Sequence, residues 1–221
     1  MKRALLGFVL FSLPAPTATL VGAARVESPF ESEIRAFESA DASNPPPPGG
    51  YLFVGSSSIR LWTTLAEDFP KLPVIGRGFG GSRIADSTRY ADRIIFPYKP
   101  AKILLYAGDN DLADGRPPEK VREDFQTFVA QVRTSLPGAK IYFIAIKPSL
   151  ARWALIDKIR EANRLIREMA GKDDKVEYVD IFTPMLGPDG RPRAELLGPD
   201  GLHLNRARYE LWRDVIAPVL K

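Results

Sequence analysis

Cysteine is absent from this 221-residue chain, and histidine occurs only once. Without cysteine the chain has no disulfide and no lipid-modified thiol, so the hydrophobic core must supply its stability. A catalytic zinc site normally takes two or three histidine ligands, so zinc is not expected. We therefore predict a protein without a metal or any other cofactor.

A strong excess of one charge is also lacking. The chain has 31 Lys and Arg against 27 Asp and Glu, and removal of Lys2 and Arg3 with a leader would leave 29 against 27, a net charge of +2. No run of basic residues interleaved with aromatic residues is present. This charge balance excludes the strongly basic surface that is typical of a nucleic-acid-binding protein. With 45% hydrophobic and 26% charged residues, the composition is typical of one globular domain.

The first 24 residues have the pattern of a secretory signal peptide. A short apolar segment, 4–13, follows Lys2 and Arg3, and small residues at 21–24 offer a cleavage site. Pro14 interrupts the segment where a buried helix would have to continue. We expect an exported protein, periplasmic or secreted, with no membrane span after cleavage; an uncleaved anchor is the alternative.

The rest of the chain divides into a short N-terminal part, 25–50, and a main domain, 51–221. Apolar residues at helical spacing predict a helix over 28–40. In the segment 44–50, a stiff run of four prolines is followed by two flexible glycines. We interpret 25–50 as a helix and connector that pack against the main domain.

In the main domain, short apolar runs alternate with amphipathic segments. The predicted strands are 51–54, 73–75, 103–106, 141–146 and 176–179. The predicted helices are 62–69, 84–96, 118–136, 153–170 and 207–219. This alternation indicates an α/β fold, a three-layer sandwich in which about five parallel strands lie between helices.

Ligands of such folds bind at the carboxyl ends of the strands, where the loops after the strands converge. The loops 55–58, 76–82 and 108–111 all follow predicted strands and are rich in glycine and polar residues. The only histidine, His203, lies near the C-terminus. A lone histidine is more often structural, but a carboxylate three residues earlier, Asp200, can hold Nδ1–H and leave Nε2 free to accept a serine proton.

These residues resemble the four sequence blocks of the SGNH, or GDSL-type, hydrolases. The resemblance covers about residues 51–205 in the family's order. The matching blocks are Gly55-Ser56-Ser57-Ser58, Gly81, Gly108-Asp109-Asn110-Asp111 and Asp200-Gly201-Leu202-His203. Such a resemblance implies the flavodoxin-like fold of this family.

The resemblance also implies a role for each matched position. Ser57 corresponds to the nucleophile, His203 to its base and Asp200 to the acid that orients the base. Ser57, Gly81 and Asn110 correspond to the oxyanion hole. The chain departs from the family motif at Ser56, which replaces an aspartate, and this change is expected to affect how the nucleophile turn is held.

Together these features predict a carboxylic ester hydrolase that works through an acyl-enzyme. The resemblance implies short-chain esters, lysophospholipids, thioesters or acetylated sugars as substrates, in a pocket shaped by 147–153 and 185–197. Trp153 could stack on a sugar or pack on the core. Three cations could receive an anionic head group, although solvated surface charge is the preferred interpretation for each: Arg83, Lys147 and Arg152. The oligomeric state is not predicted.

Two other enzyme classes compete with this interpretation. Gly76, Gly78 and Gly81 satisfy the G-x-G-x-x-G pattern of dinucleotide-binding oxidoreductases, but the pattern follows the second strand and leaves His203 unexplained. The nucleophile elbow of α/β-hydrolases, G-x-S-x-G, would need glycine where the chain has Ile59.

Noncatalytic interpretations also remain open. The serines after the first strand could merely cap a helix, and Asn110 could merely bridge loop backbone. A noncatalytic carbohydrate-binding descendant of the fold is a further alternative. A calcium loop at 109–120 is rejected, because the EF-hand pattern needs an acid or amide where Ala113 stands and glutamate where Lys120 stands.

Overall fold

The computed structural model describes residues 28–221, so the predicted signal segment, 1–24, lies outside the described residues. Its centre is a five-stranded sheet in the order β2-β1-β3-β4-β5, with every neighbouring pair parallel. The strands are β1 (Tyr51–Gly55), β2 (Val74–Gly78), β3 (Lys102–Tyr106), β4 (Lys140–Ile144) and β5 (Val176–Val179). The predicted three-layer α/β architecture is confirmed.

Helices cover both faces of this sheet. They are α1 (Glu31–Ser43), α2 (Ser57–Arg60), α3 (Leu65–Asp68), α4 (Ile84–Arg89), α5 (Ala91–Ile94), α6 (Asp109–Ala113), α7 (Pro118–Ser135), α8 (Ile156–Ala170) and α9 (Arg206–Ile216). One core cluster joins the sheet to α1, α4, α5, α7 and α8, and a second joins it to α2, α3 and α9. The central strands are apolar on both faces because neither face meets water.

Alternate residues of a strand enter opposite clusters. In β1, Leu52 and Val54 belong to the cluster under α7 and α8, whereas Phe53 belongs to the cluster under α9. All three side chains are fully buried. This alternation follows from the two-residue period of a strand.

The predicted helix 84–96 is interrupted. It consists of α4, α5 and a 3₁₀ turn, Phe96–Tyr98, with the first break at Tyr90. Tyr90 is buried with its ring at an edge-to-face angle to Phe79, 6.0 Å between centroids. Pro97 lacks the N–H needed to continue an α-helix. The sequence pattern predicted a single helix and did not indicate these breaks.

Only α3 of the predicted helix 62–69 is helical, because side-chain hydrogen bonds hold the residues before it in a turn. The indole N–H of Trp62 and the hydroxyl of Thr64 donate to Asp68 at 2.7 and 2.8 Å. Strand 141–146 is also shorter than predicted, since the N–H of Ile146 binds the side chain of Asn163 at 2.8 Å instead of a neighbouring strand.

Helix α1 packs against the edge of the main domain. Ile34 is fully buried, and the ring of Phe30 meets that of Phe79 edge-on with centroids 5.2 Å apart. At the other end of α1, Asp41 pairs with Arg77 of β2. The loop that follows β2 therefore rests against the N-terminal helix.

Between residues 28 and 221, no helix has the length and apolar character required to span a membrane.

Candidate active site

Ser57 lies at the carboxyl edge of the sheet, as the first residue of α2 directly after β1. The turn depends on Gly55, which has a φ of +134° and whose missing Cβ would lie 1.9 Å from the carbonyl oxygen of Tyr106. Only glycine allows β1 to approach β3 this closely. The N–H of Ser56 then donates to the same carbonyl at 2.9 Å, which fixes the backbone immediately before Ser57.

Ser56, the departure from the family motif, contributes its backbone to this turn. Its carbonyl accepts hydrogen bonds from the N–H groups of Ile59 and Arg60 at 3.0 and 3.2 Å. Its hydroxyl is fully buried and, within residues 28–221, has no hydrogen-bond partner. The main chain therefore holds the turn without the motif's carboxylate.

His203 reaches Ser57 from the loop before α9. Its Nε2 lies 3.2 Å from Ser57 Oγ, and its Nδ1 lies 2.5 Å from Oδ2 of Asp200. The other carboxylate oxygen of Asp200 accepts the N–H groups of Leu202 and His203, both at 2.9 Å. Ser57 and the Asp200–His203 pair, which come from two distant parts of the sequence, thus form one hydrogen-bonded chain.

The loop itself keeps the Asp200 carboxylate ionised. The backbone N–H groups of Leu202 and His203, together with the His203 ring, hold the pKa of Asp200 well below its usual range. An ionised carboxylate fixes the Nδ1–H tautomer of the imidazole, so Nε2 faces the serine as an acceptor.

Three N–H donors occupy the positions that the family resemblance assigns to the oxyanion hole. The N–H of Ser57 starts α2 and so has no helical acceptor. Gly81, with a φ of +78°, carries an N–H that no group in the described part of the chain accepts, and a Cβ built there would meet no atom within 4 Å. The left-handed backbone conformation accounts for glycine at this position.

The third donor is the amide of Asn110 in α6, which is held on both sides. Its Nδ2 donates to the carbonyl of Ser82 at 2.9 Å, and its Oδ1 accepts from Nη2 of Arg152 at 2.9 Å. One of the two Nδ2 hydrogens remains for a ligand. Asn110 does bridge loop backbone, as the noncatalytic interpretation required, but this contact also sets the orientation of its amide.

A buried ion cluster lies behind Asn110. Asp109 Oδ2 is 2.8 Å from Lys147 Nζ and 3.0 Å from Arg152 Nη1. Burial alone would raise the pKa of the Asp109 carboxyl, but the two cations outweigh burial and lower it. Asp109 Oδ1 also accepts the N–H of Asn110 at 3.1 Å. The cluster therefore fixes the backbone and the side chain of Asn110.

This cluster corrects the interpretation of Lys147 and Arg152 as solvated surface charges. The Lys147 side chain is only 2% exposed and that of Arg152 only 18%. The sequence signal was present: Asp109 and Lys147 follow adjacent parallel strands, β3 and β4, whose carboxyl ends must lie side by side.

The other two residues singled out near the pocket are partly exposed. Arg83 keeps its surface position, with contacts to Asp86 at 3.6 Å and to Asp114 at 3.4 Å. Trp153 is half-buried, with the guanidinium of Arg191 5.6 Å from its ring centroid. Its ring is therefore neither part of the core nor fully open.

The N-terminal helix contributes one residue that the sequence did not indicate. Glu33 of α1 accepts hydrogen bonds from the backbone N–H of Gly80 and from Arg60, both at 3.4 Å. The Arg60 guanidinium lies directly over Gly80, where a Cβ would come within 2.7 Å of its carbon. The loop that carries Gly81 is thus supported from α1.

The dinucleotide pattern does not form a phosphate-binding turn. Gly76 and Gly78 lie inside β2, where they pair with Phe53 and Gly55 of β1. A phosphate-binding turn needs these glycines beyond the end of the strand. Across residues 28–221, no group of three or more His, Asp or Glu side chains is arranged to hold a metal ion.

A five-stranded parallel sheet of this order, with serine and histidine brought together at its carboxyl edge, defines a protein of the SGNH hydrolase fold. The sequence profile of the GDSL-like lipase/acylhydrolase family matches residues 50–211. The chain belongs to this family, and it is a hydrolase that acts on ester bonds. No curated protein sequence matches it.

Solved structures share the fold at low sequence identity. A protein of platelet-activating-factor type from Streptococcus pneumonia is 22% identical, with a TM-score of 0.78 over 86% of this chain and 92% of its own. A GDSL-like lipase from Bacteroides thetaiotaomicron is 17% identical, with a TM-score of 0.71 over 85% and 96%. A carbohydrate esterase of family 3 from Talaromyces cellulolyticus is 17% identical, with a TM-score of 0.61 over 78% and 96%.

Proposed function

We propose that the protein hydrolyses carboxylic esters through an acyl-enzyme formed on Ser57. One observation carries this proposal: Ser57 Oγ, His203 and Asp200 form a continuous hydrogen-bonded chain, with distances of 3.2 and 2.5 Å. A serine hydroxyl is a weak nucleophile at neutral pH and needs a base within hydrogen-bond reach. His203 is the only histidine of the chain, so no other imidazole can serve.

The reaction proceeds in two halves. Ser57 Oγ attacks the ester carbonyl carbon while its proton passes to His203 Nε2, and that proton then leaves on the departing alcohol as the C–O bond breaks. A water molecule next gives a proton to Nε2 and attacks the acyl carbon. The acid departs, and the proton returns to Ser57 Oγ. Asp200 stabilises the imidazolium in both halves.

In the proposed reaction, negative charge on the carbonyl oxygen is stabilised by three N–H donors. These are the N–H groups of Ser57 and Gly81 and the free Nδ2 hydrogen of Asn110. Arg152 acts as a positioning residue, because it holds Oδ1 of Asn110 and so prevents the amide from turning its oxygen toward the oxyanion. An amide in the reversed orientation would repel the developing charge.

The cations near the site give little support for an anionic head group. Lys147 and Arg152 both contact the buried carboxylate of Asp109, and their side chains are only 2% and 18% exposed, so little of either cation is open to a head group. We therefore favour neutral short-chain esters or acetylated sugars over lysophospholipids. The similarity in fold to the carbohydrate esterase from Talaromyces cellulolyticus is compatible with a sugar ester.

The test compares the protein with its Ser57→Ala and His203→Ala variants on p-nitrophenyl acetate, butyrate and octanoate. We expect each variant to lower kcat/KM by about 10⁴- to 10⁶-fold. Ser56→Ala is the matched control, because it removes a neighbouring hydroxyl that lies buried under the same turn. Equal turnover by Ser57→Ala and the parent protein would rule out the acyl-enzyme.

Acetylated xylan and lysophosphatidylcholine, assayed alongside, separate the substrate classes. Acetate release from xylan without turnover of the phospholipid supports the sugar ester, and the reverse result contradicts it. Affinity for the xylan without turnover of any ester would instead favour the carbohydrate-binding alternative. Such a result would refute the proposed reaction while leaving the fold unchanged.

A further inference from the structure

Leu150 is a large apolar residue that the proposed reaction does not use. The residues before it, 141–149, are all buried, and Leu150 then reaches the surface with 42% of its area exposed. Within residues 28–221, Leu61 at 39% is the only other large apolar residue that is exposed. A single exposed leucine is common on protein surfaces, so the neighbours of Leu150 must show whether it has a role.

The backbone around Leu150 packs on the turn 200–203, which carries the base of the proposed reaction. The N–H of Ala151 donates to the carbonyl of Gly201 at 3.1 Å. A Cβ built on Gly201 would lie 3.3 Å from Cβ of Leu150 and 3.5 Å from the nitrogen of Ala151. Leu150 therefore lies directly against the turn that holds both the base and the acid that orients it.

The same segment also reaches the oxyanion side of the site. Nη2 of Arg152 donates to Oδ1 of Asn110 at 2.9 Å. The N–H of Trp153 donates to the carbonyl of Leu150 at 3.2 Å, which closes a turn around Arg152. The segment thus bridges Asn110 and the turn that carries the base, and Leu150 is the large exposed apolar side chain of this bridge.

The chemistry of a leucine side chain restricts what it can recognise. It has no hydrogen-bonding group, so it stabilises a ligand only by removing hydrocarbon from water. We propose that Leu150 contacts an aliphatic chain beside the scissile ester and so determines a preference for chain length, an inference that rests on the ester hydrolysis proposed above. The chain belongs either to the acyl group or to the alcohol, and two isomeric esters distinguish these sources.

Hexyl acetate and ethyl hexanoate provide the test, because they carry a long chain on opposite sides of the ester, and ethyl acetate lacks it. We expect Leu150→Ser to lower kcat/KM by about 5- to 20-fold for one isomer, and by less than about 2-fold for the other isomer and for ethyl acetate. A loss with hexyl acetate assigns the contact to the alcohol, and a loss with ethyl hexanoate assigns it to the acyl chain. Equal losses for all three esters, or no loss, would overturn the proposal.

Two further variants serve as controls. Leu150→Met keeps an apolar side chain of similar volume and should keep the preference of the parent protein. Leu165→Ser makes the same change as Leu150→Ser at a half-buried position in the groove between α7 and α8, and it should leave the relative rates of the three esters unchanged. A loss of preference in Leu165→Ser would contradict a specific role for Leu150.

Hydrolysis of the acetyl-enzyme separates a substrate contact from damage to the turn 200–203. The acetyl group lacks the long chain, but its hydrolysis still requires His203 as the base. The rate constant of this step, from burst kinetics with p-nitrophenyl acetate, should change by less than about 2-fold in Leu150→Ser. A slower step, together with parallel losses for all three esters, would show that Leu150 only supports the turn.

Failure of this inference is distinguishable from failure of the proposed function. If Ser57→Ala hydrolyses the three esters as fast as the parent protein, the acyl-enzyme mechanism itself is wrong. If turnover depends on Ser57 but Leu150→Ser keeps the parental preference, only the contact with Leu150 is refuted. A parent protein that hydrolyses ethyl acetate but neither isomer also refutes this contact.

Discussion

The guanidinium of Arg152 donates to the amide oxygen of Asn110 at 2.9 Å, so the orientation of the Asn110 side chain depends on Arg152. Removal of Asn110 itself, in Asn110→Ala, should lower kcat by about 10²- to 10³-fold. Arg152→Met should lower kcat by about 10- to 100-fold with little change in KM, because the amide can then rotate.

The double variant separates positioning from a direct role. If Arg152 acts only through Asn110, Arg152→Met has no further effect on kcat in the Asn110→Ala background. Arg160→Met, which removes an exposed arginine next to Asp157, serves as the control and should leave kcat unchanged. Additive losses in the double variant would show that Arg152 contacts the substrate itself.

Asp200→Asn should reduce kcat by about 10⁴-fold. Asparagine can still accept the loop N–H groups, so the turn keeps its shape, but the amide nitrogen that it places toward Nδ1 favours the wrong imidazole tautomer. Steady-state kinetics with p-nitrophenyl acetate measure the loss. Asp189→Asn makes the same change in another turn, where Asp189 accepts the N–H of Arg191 at 3.0 Å, and should be neutral. Comparable losses from both variants would contradict the assigned role.

Asp111 makes the stability depend on pH. Burial raises its pKa from 3.8 to about 7. Between about pH 4 and pH 7 the unfolded chain has lost a proton that the folded chain keeps, so this group lowers stability as pH rises through that range, by about 4 kcal/mol at most.

The side chain of Asn in the Asp111→Asn variant cannot ionise, so the stability of this variant should lack the pH dependence that Asp111 causes. Urea unfolding at a series of pH values should show that the free energy of unfolding of the variant rises relative to that of the parent protein from about pH 4 to pH 7. Above that range the difference between the two should be constant. Asp114→Asn, at a position that is 54% exposed, is the control. Parallel curves for Asp111→Asn and the parent would show that Asp111 is ionised in the folded state.

Much of the fold and of the candidate active site could be predicted from the sequence, because it depends on local sequence pattern. The two-residue alternation of β1 and the glycine turns after the strands determine which face and which edge each residue occupies. The contacts of Ser57, His203 and Asp200 follow from the family resemblance together with that topology. The interruption at Tyr90 could not be predicted, because it depends on how a buried ring packs against Phe79.

The ion cluster around Asp109 shows a second limit of prediction from the sequence. A lysine beside a strand is usually solvated, and only the pairing of β3 with β4 brings Lys147 to Asp109. Whether a charge is buried is decided by its neighbours in space, which hydrophobic periodicity does not report. The contact of Glu33 with Gly80 was missed for the same reason, since 47 residues separate the two.

Asp68 should stabilise the junction between α3 and α9. Its side chain is 1% exposed and accepts bonds from Trp62, Thr64 and Arg206. Burial alone would raise its pKa, but these donors lower it to about 2. The resulting stability, about 2 kcal/mol, is present above about pH 4 and is lost as pH falls toward 2.

Asp68→Asn should therefore lower the free energy of unfolding by about 2 to 3 kcal/mol at neutral pH and flatten its acid dependence. Chemical denaturation at neutral and acidic pH measures both effects. Asp214→Asn, with a side chain 68% exposed on α9, is the matched control and should change stability little. An unchanged acid dependence in Asp68→Asn would mean that other carboxylates dominate acid unfolding.

The contacts of α1 set the minimal length of the working enzyme. The family match begins at residue 50, after this helix has ended. A protein shortened to the matched segment would uncover the ring of Phe79, deprive Arg77 of Asp41 and release the Gly80 N–H from Glu33. Expression boundaries for biochemical work should consequently begin upstream of Phe30, because a shorter product would retain every reacting group yet lose the support of the loop that presents Gly81.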